Sequence, residues 1–170
     1  PIPGLAEGLA GGTVLTSREI LDLEEIPKTL VVIGGGVIGL EMAGYYQACG
    51  TQVTVIEMLD HIAGNADLEL STALQKEFAR QGITFFLSSR VTRLGQGQVF
   101  FQTSDGKQQQ TAAEKVLLSA GRRPVVADLG LESLGIFVDK GRIVTDRQGL
   151  TNVPDVYAAG DVNGVWMLAH

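Results

Sequence analysis

The chain has 170 residues, 45% hydrophobic and 19% charged, with 13 Lys+Arg against 19 Asp+Glu for a formal net charge of −6. That length suits one domain, or one domain with a short appendage, and the apolar share excludes a disordered chain. The acidic balance argues against a nucleic-acid groove or an anionic membrane surface, and the most apolar run, Leu30 to Leu40, is far short of the roughly 20 residues of a membrane helix.

Residues 1–28 read as a lead-in outside the core: Pro/Gly-rich extended chain, then a short helical turn around SREILDLEE with Ser17 as a cap and Glu19 in the first turn. The opening PIPGLAEGLAGG lacks the basic start and apolar run of a signal peptide. TLVVI (29–33) predicts a strand, GGG a turn, and VIGLEMAGYYQACG a buried helix stopped by Gly50. Cys49, the only cysteine, excludes an intramolecular disulfide and reads as a small buried hydrophobe at the helix end.

TQVTVIE (51–57) predicts a strand ending in a carboxylate. DLELSTALQKEFARQG (67–82) predicts a helix with Leu70, Ala73, Leu74 and Phe78 on its packed face and Gly82 as its stop. ITFFLSS supplies a third strand, so the order β-α-β-α-β implies an α/β fold with a parallel sheet and flanking helices. Beyond Ser89 the strands become short, with Asp105-Gly106 as the strongest hairpin signal, which predicts an inserted antiparallel β-meander. EKVLLSA (114–120) reads as another buried strand ending at Gly121, and the chain closes with two more short strands.

Gly34, Gly36 and Gly39 form G-x-G-x-x-G between a predicted strand and a predicted helix, the placement of the Rossmann-like dinucleotide turn. The first glycine allows a sharp turn, the second lets the main chain approach a pyrophosphate, and the third lets helix and strand pack closely. The helix N-terminus then favours the phosphates even in an acidic protein. Glu57 lies 21 positions after Gly36, where a carboxylate accepts from the adenosine ribose hydroxyls and repels a 2′-phosphate. The following MLDHIAG offers no arginine, which favours NAD over NADP. An ordinary glycine turn, or a methyltransferase site for a sulfonium nucleoside, are the alternatives.

LVVIGGGVIGLEMA, VTVIEMLDHI, SAGRRP, TNVPDVYAAGDV and the terminal MLAH, in this order, resemble the pyridine nucleotide-disulfide oxidoreductases, most closely the branch that oxidises dihydrolipoamide. The lead-in PIPGL and SREILDLEEIPKTL resemble that family's entry into its nicotinamide-binding domain. The resemblance implies that Gly34, Gly35, Gly36, Val37, Ile38 and Gly39 hold the NAD pyrophosphate, Glu57 the adenosine ribose, Val91 the adenine, that Met58 also binds the cofactor, and that Gly121 approaches the nicotinamide half. It places Glu41 near a flavin, where it would pair with a lysine of the FAD domain; otherwise Glu41 is a helix-start acid favoured by the macrodipole. Asp161 would meet the FAD ribityl and phosphate region, and Met167, Leu168, Ala169 and His170 would begin a helix against the flavin, with no proton-transfer role for His170. Arg122 and Arg123 read as a solvated pair at a turn.

The family passes electrons from a dithiol through a cysteine pair and FAD to NAD, and this chain has neither a cysteine pair nor a second G-x-G-x-x-G turn placed for FAD. The expectation is therefore the lead-in over 1–28, an NAD-binding domain over 29–125, and over 126–170 the end of that domain with the return segment of an FAD-binding domain. Its partners would be NAD(H) and the remaining FAD and dimerisation domains, in a homodimer. By itself the chain is expected to bind NAD(H), not to hold FAD and not to turn over dihydrolipoamide, with a cytoplasmic location. HIAGNAD lacks the proline usual in that loop of the family. A related NADH-dependent flavoprotein reductase or oxidase, or a non-catalytic Rossmann interaction module, are the alternatives.

Overall fold

A computed structural model describes residues 2–64 and 66–168. Chain contacts divide it into two compact units, the first ending at Ala120 and the second starting at Gly121. In the first unit the elements run α1 (Leu5–Ala10), β1 (Val14–Leu15), a single 3-10 turn (Glu19–Asp22), β2 (Thr29–Ile33), α2 (Val37–Ala48), β3 (Gln52–Ile56) and α3 (Leu68–Arg80). They continue with β4 (Thr84–Phe86), β5 (Arg90–Gly95), β6 (Gln98–Gln102), β7 (Gln108–Ala112) and β8 (Lys115–Leu118).

Five strands form the sheet β1-β8-β2-β3-β4, all in parallel pairs, and β5-β6-β7 form a separate antiparallel sheet. This is the α/β fold with a parallel sheet and an inserted meander that the residue pattern predicts. The β5–β6 turn at Gln96-Gly97 has both residues at positive φ, the twist a tight hairpin requires.

The parallel sheet is covered on both faces, which is why β2 reads as an unbroken apolar run rather than an alternation. Val31 and Ile33 pack with Ile56 and Val116 against Val91, Val99 and Phe101 of the meander. Their neighbours Leu30 and Val32 face the other way, with Val53, Val55 and Leu117, against Ala43 and Tyr46 of α2. Period-two side-chain alternation therefore splits each central strand between two cores.

Several expectations are corrected. The lead-in, expected outside the core, supplies the edge strand β1, with Val14 and Leu15 buried, and Ile20 is buried in the helix-side core. The Tyr46 hydroxyl donates to the Ile20 carbonyl at 2.7 Å, and burial of that ring pushes its pKa above the usual tyrosine value. Residues 5–10 are helical rather than extended. The 3-10 turn is not capped by Ser17: Glu19 accepts from the Thr16 N–H at 2.8 Å and from the Thr16 hydroxyl. Cys49 is exposed at the C-cap of α2, just past the last helical residue Ala48.

The packed face of α3 is only partly the expected one: Phe78 packs as expected, but Ala73 is exposed. Leu70 is 68% exposed and Leu74 is 38% exposed. The buried side runs through Ser71, Gln75 and Phe78, with Phe78 against the helix-side core and the Ser71 hydroxyl donating to the Ile62 carbonyl at 2.8 Å. Asp67 starts the helix by accepting from the Glu69 N–H at 2.9 Å. A satisfied buried hydroxyl, which an apolar-period reading scores as polar, sets the rotation of this helix.

The second unit holds the antiparallel hairpin β9 (Val138–Asp139) and β10 (Arg142–Ile143), a bridge between Leu150 and Tyr157, and a small core of Ile136, Ile143 and Ala158. No helix among the described residues is long and apolar enough to cross a membrane.

These burials are separable by denaturation. Phe101→Ala, at a fully buried ring, is expected to cost about 3–5 kcal/mol in urea unfolding. Leu70→Lys, on the exposed side of α3, should stay within about 0.5 kcal/mol of the parent.

Candidate functional site

The site is built where β2 ends and α2 begins. Gly34 has φ +104 and donates its N–H to the Ile56 carbonyl at 2.9 Å, and a side chain there would run into the Ser119 carbonyl at the end of β8. Gly39, in the first turn of α2, lies so close to the Gly34 carbonyl oxygen that a Cβ could not fit. Gly36 is different: at φ −76 and ψ 177 its conformation suits any residue, and no atom lies within 4 Å of where its Cβ would be. Two of the three motif glycines are thus required by the protein's own packing, and the third faces open space.

That open space adjoins the start of α2. Gly36 is the N-cap and provides no side-chain cap. The ladder of helix bonds begins with the Leu40 N–H on the Gly36 carbonyl at 2.9 Å, so the N–H groups of Val37, Ile38 and Gly39 precede it. With β3 on one side of β2 and β8 on the other, this is also the carboxyl edge of the sheet where strand order reverses, the usual ligand crevice of open α/β sheets. An uncapped helix start beside a position with room for a ligand fits a phosphate group.

Glu57 stands at the end of β3, half-buried. Its Oε2 accepts from the Gly35 N–H at 2.6 Å and its Oε1 from the Leu59 N–H at 2.8 Å. The sequence pattern identified the acid but not these two amides. Gly35, expected among the pyrophosphate residues, directs its N–H to Glu57, and the Gly34 N–H goes to β3. Each carboxylate oxygen accepts one of these bonds and keeps a lone-pair direction for a hydroxyl.

The loop after Glu57 closes over the same turn. The Ala63 N–H donates to the Gly35 carbonyl at 2.8 Å, and Ile62 is fully buried with its Cγ2 3.3 Å from where a Gly35 Cβ would be. His61 places Nδ1 2.6 Å from Asp60 Oδ1 and Nε2 2.9 Å from the Gly64 carbonyl. These contacts hold the His61 pKa above its ordinary value and the Asp60 carboxyl below its own. Nothing in the sequence pattern singled out His61.

The other expected residues are distributed as follows. Val37 and Met58 are exposed and Ile38 is half-buried. Val91, expected at the adenine, is 7% exposed, and its side chain is packed into the meander-side core. Glu41 lies on the exposed side of α2. Gly121 is exposed at φ +118. Asp161, in a 3-10 turn over Gly160–Asn163, pairs with Arg122 at 3.3 Å, so Arg122 is not merely solvated. Met167 is half-buried and Leu168 exposed, while Ala169 and His170 lie outside the described residues.

A glycine turn at the switch point of a parallel sheet, with an acid at the end of the next strand, defines the Rossmann-like class. The model of the pyridine nucleotide-disulphide oxidoreductases matches residues 1–170, and the chain belongs to that family. It is 41% identical over 170 residues to a dihydrolipoyl dehydrogenase of Acholeplasma laidlawii, covering all of this chain and 50% of that protein. It is 39% identical over 178 residues to the mitochondrial dihydrolipoyl dehydrogenase of Mus musculus, again over all of this chain and 35% of that protein.

Among solved structures, the HOCl-induced flavoprotein disulfide reductase RclA from Escherichia coli matches with a TM-score of 0.81 at 30% identity, over 99% of this chain and 38% of that one. LpdA from Mycobacterium tuberculosis matches with a TM-score of 0.75 at 33% identity, over 91% and 34%. The chain therefore spans half the length of the first of these relatives and about a third of the others.

The glycine geometry makes a graded prediction for thermal or denaturant unfolding. Gly39→Ala should destabilise by about 1–3 kcal/mol because helix and strand must separate to admit the methyl. Gly36→Ala should cost about 1 kcal/mol or less, the loss expected at an N-cap that has room for it.

Proposed function

We propose that this chain is the NAD(H)-binding portion of a dihydrolipoyl dehydrogenase. The observation that carries the reading is the open N-cap at Gly36 set beside the Glu57 carboxylate, which is fixed 2.6 Å from the Gly35 amide. The amides of Val37, Ile38 and Gly39, preceding the helix ladder, would meet the pyrophosphate. The remaining lone pairs of Glu57 would accept from the adenosine ribose hydroxyls, and the same charge would oppose a 2′-phosphate.

Val91 would support the adenine from beneath as part of the core, Met58 would flank the ribose, and Gly121 would lie toward the nicotinamide half. In this reading residues 29–125 belong to the NAD-binding domain, and 126–170 lead back toward an FAD-binding domain. Asp161 and the MLAH segment would meet the flavin of the whole protein, with Glu41 as a flavin-side support. NAD+, when bound, supplies the hydride acceptor; these residues bind it, orient it and select it against NADP+. The whole protein would carry electrons from dihydrolipoamide through FAD to NAD+ as a homodimer, with the dithiol chemistry in parts other than these 170 residues. A second reading, another NADH-dependent flavoprotein disulfide reductase, is favoured by the likeness to RclA at 30% identity.

Titration of the purified chain with NADH and NADPH tests the cofactor assignment. NADH is expected to bind at least about tenfold more tightly than NADPH, and Glu57→Ala should weaken NADH and narrow that ratio. No detectable NADH binding, or equal affinity for the two, would overturn it.

A further inference from the structure

We infer that His61, held as an imidazolium between Asp60 and Gly64, is a positioning residue for the nucleotide site, so that cofactor affinity falls as His61 loses its proton. This deepens the reading above and rests on it. A neutral imidazole has one N–H and one lone pair, whereas the imidazolium has two N–H groups. Both partners of this ring are acceptors only: a carboxylate oxygen at 2.6 Å from Nδ1 and a peptide carbonyl at 2.9 Å from Nε2. Both contacts can be hydrogen bonds only when the ring is protonated. In the neutral ring one becomes a lone pair facing a lone pair and must open.

What opens is tied to the glycine turn. The bond to the Gly64 carbonyl closes a turn in which Ala63 and Gly64 have φ +60 and +56; for Ala63 this is a left-handed conformation that a bond must hold. Ala63 in turn donates to the Gly35 carbonyl, while Gly35 donates to Glu57, so both main-chain groups of Gly35 belong to this loop. Ile62, fully buried and accepting from Ser71, anchors the loop onto α3, which leaves the His61 end as the part free to release. Among the described residues the charged groups acting on His61 are Asp60 and Glu57, and both favour the cation.

The direction follows. The latched loop preorganises Glu57, and the cation attracts an anionic dinucleotide, so both effects tighten binding at lower pH. The His61 pKa is raised, so the latch is fully present below the ordinary histidine value of about 6.5 and is lost as pH rises through the higher folded value.

The test measures NADH affinity of the whole chain from about pH 5.5 to about 8.5, a span that brackets the ordinary histidine value, alongside His61 titration and Gly35 and Ala63 amide exchange by NMR. Affinity is expected to fall about three- to tenfold across the His61 titration, and saturating NADH should raise the His61 pKa reciprocally. Asp60→Asn should move the midpoint to lower pH, and His61→Gln should flatten the profile; a merely structural histidine would not shift a midpoint. NADH affinity independent of pH, or an unchanged slope in His61→Gln, overturns the inference. If NADH fails to bind at every pH, the nucleotide reading and the affinity claim fall together. Amide exchange then decides the latch: opening of Gly35 and Ala63 that follows His61 in the parent but not in His61→Gln supports it, and identical exchange in both overturns it.

Discussion

The close approach of α2 to the end of β2 is the constraint on which the site depends. Because Gly39 sits against the Gly34 carbonyl with no room for a side chain, the helix begins immediately beyond the strand. Its first N–H groups therefore emerge at the sheet edge rather than several ångströms away from it. Gly34, pressed toward the end of β8, fixes the other side of the crevice. Glu57 is then placed by the register of β3 beside β2, Ile33 opposite Ile56, which carries its carboxylate to the Gly35 amide. Packing of small residues thus sets electrostatics: a helix start favouring negative charge lies next to a carboxylate fixed by two main-chain amides.

This arrangement needs a rigid base, which the two-faced sheet provides. Val31 and Ile33 bind the meander to one face while Leu30 and Val32 bind α2 and the lead-in to the other. The meander is consequently part of the core rather than an ornament on it, with Phe101 fully buried and its ring 4.6 Å from that of Phe86. The lead-in is likewise structural, since Val14 and Leu15 pair with β8 and extend the sheet beyond it. A site at the carboxyl edge is well placed on such a base because loops there can vary while the strands beneath them stay fixed.

Family membership and the geometry of the turn point the same way, but they carry different information. The match over residues 1–170 establishes kinship with the pyridine nucleotide-disulphide oxidoreductases. The structure shows which groups are committed within the chain and which face open space. Gly35 illustrates the difference: as part of G-G-G it looks like one more phosphate-binding glycine, yet both its N–H and its carbonyl are engaged by the loop from Glu57 to Gly64.

The strands from β2 to β8, the glycine turn, the helix stops at Gly50 and Gly82 and the acid at Glu57 were legible in the sequence because each follows from local rules, whereas the two-residue strands β1 and β9 were not. Those rules are an apolar run, a residue without Cβ, or a strand end at a set distance along the chain. What depends on contacts between distant segments was not legible. The rotation of α3 turns on Ser71 meeting Ile62, and the burial of Ile20 on a tyrosine 26 positions away. The sequence by itself determined the order of elements and the chemistry available at the turn. Only the tertiary structure decided which amides remain for a ligand and which are already bonded, because a hydrogen bond between residues far apart in the chain exists only once packing has brought them together.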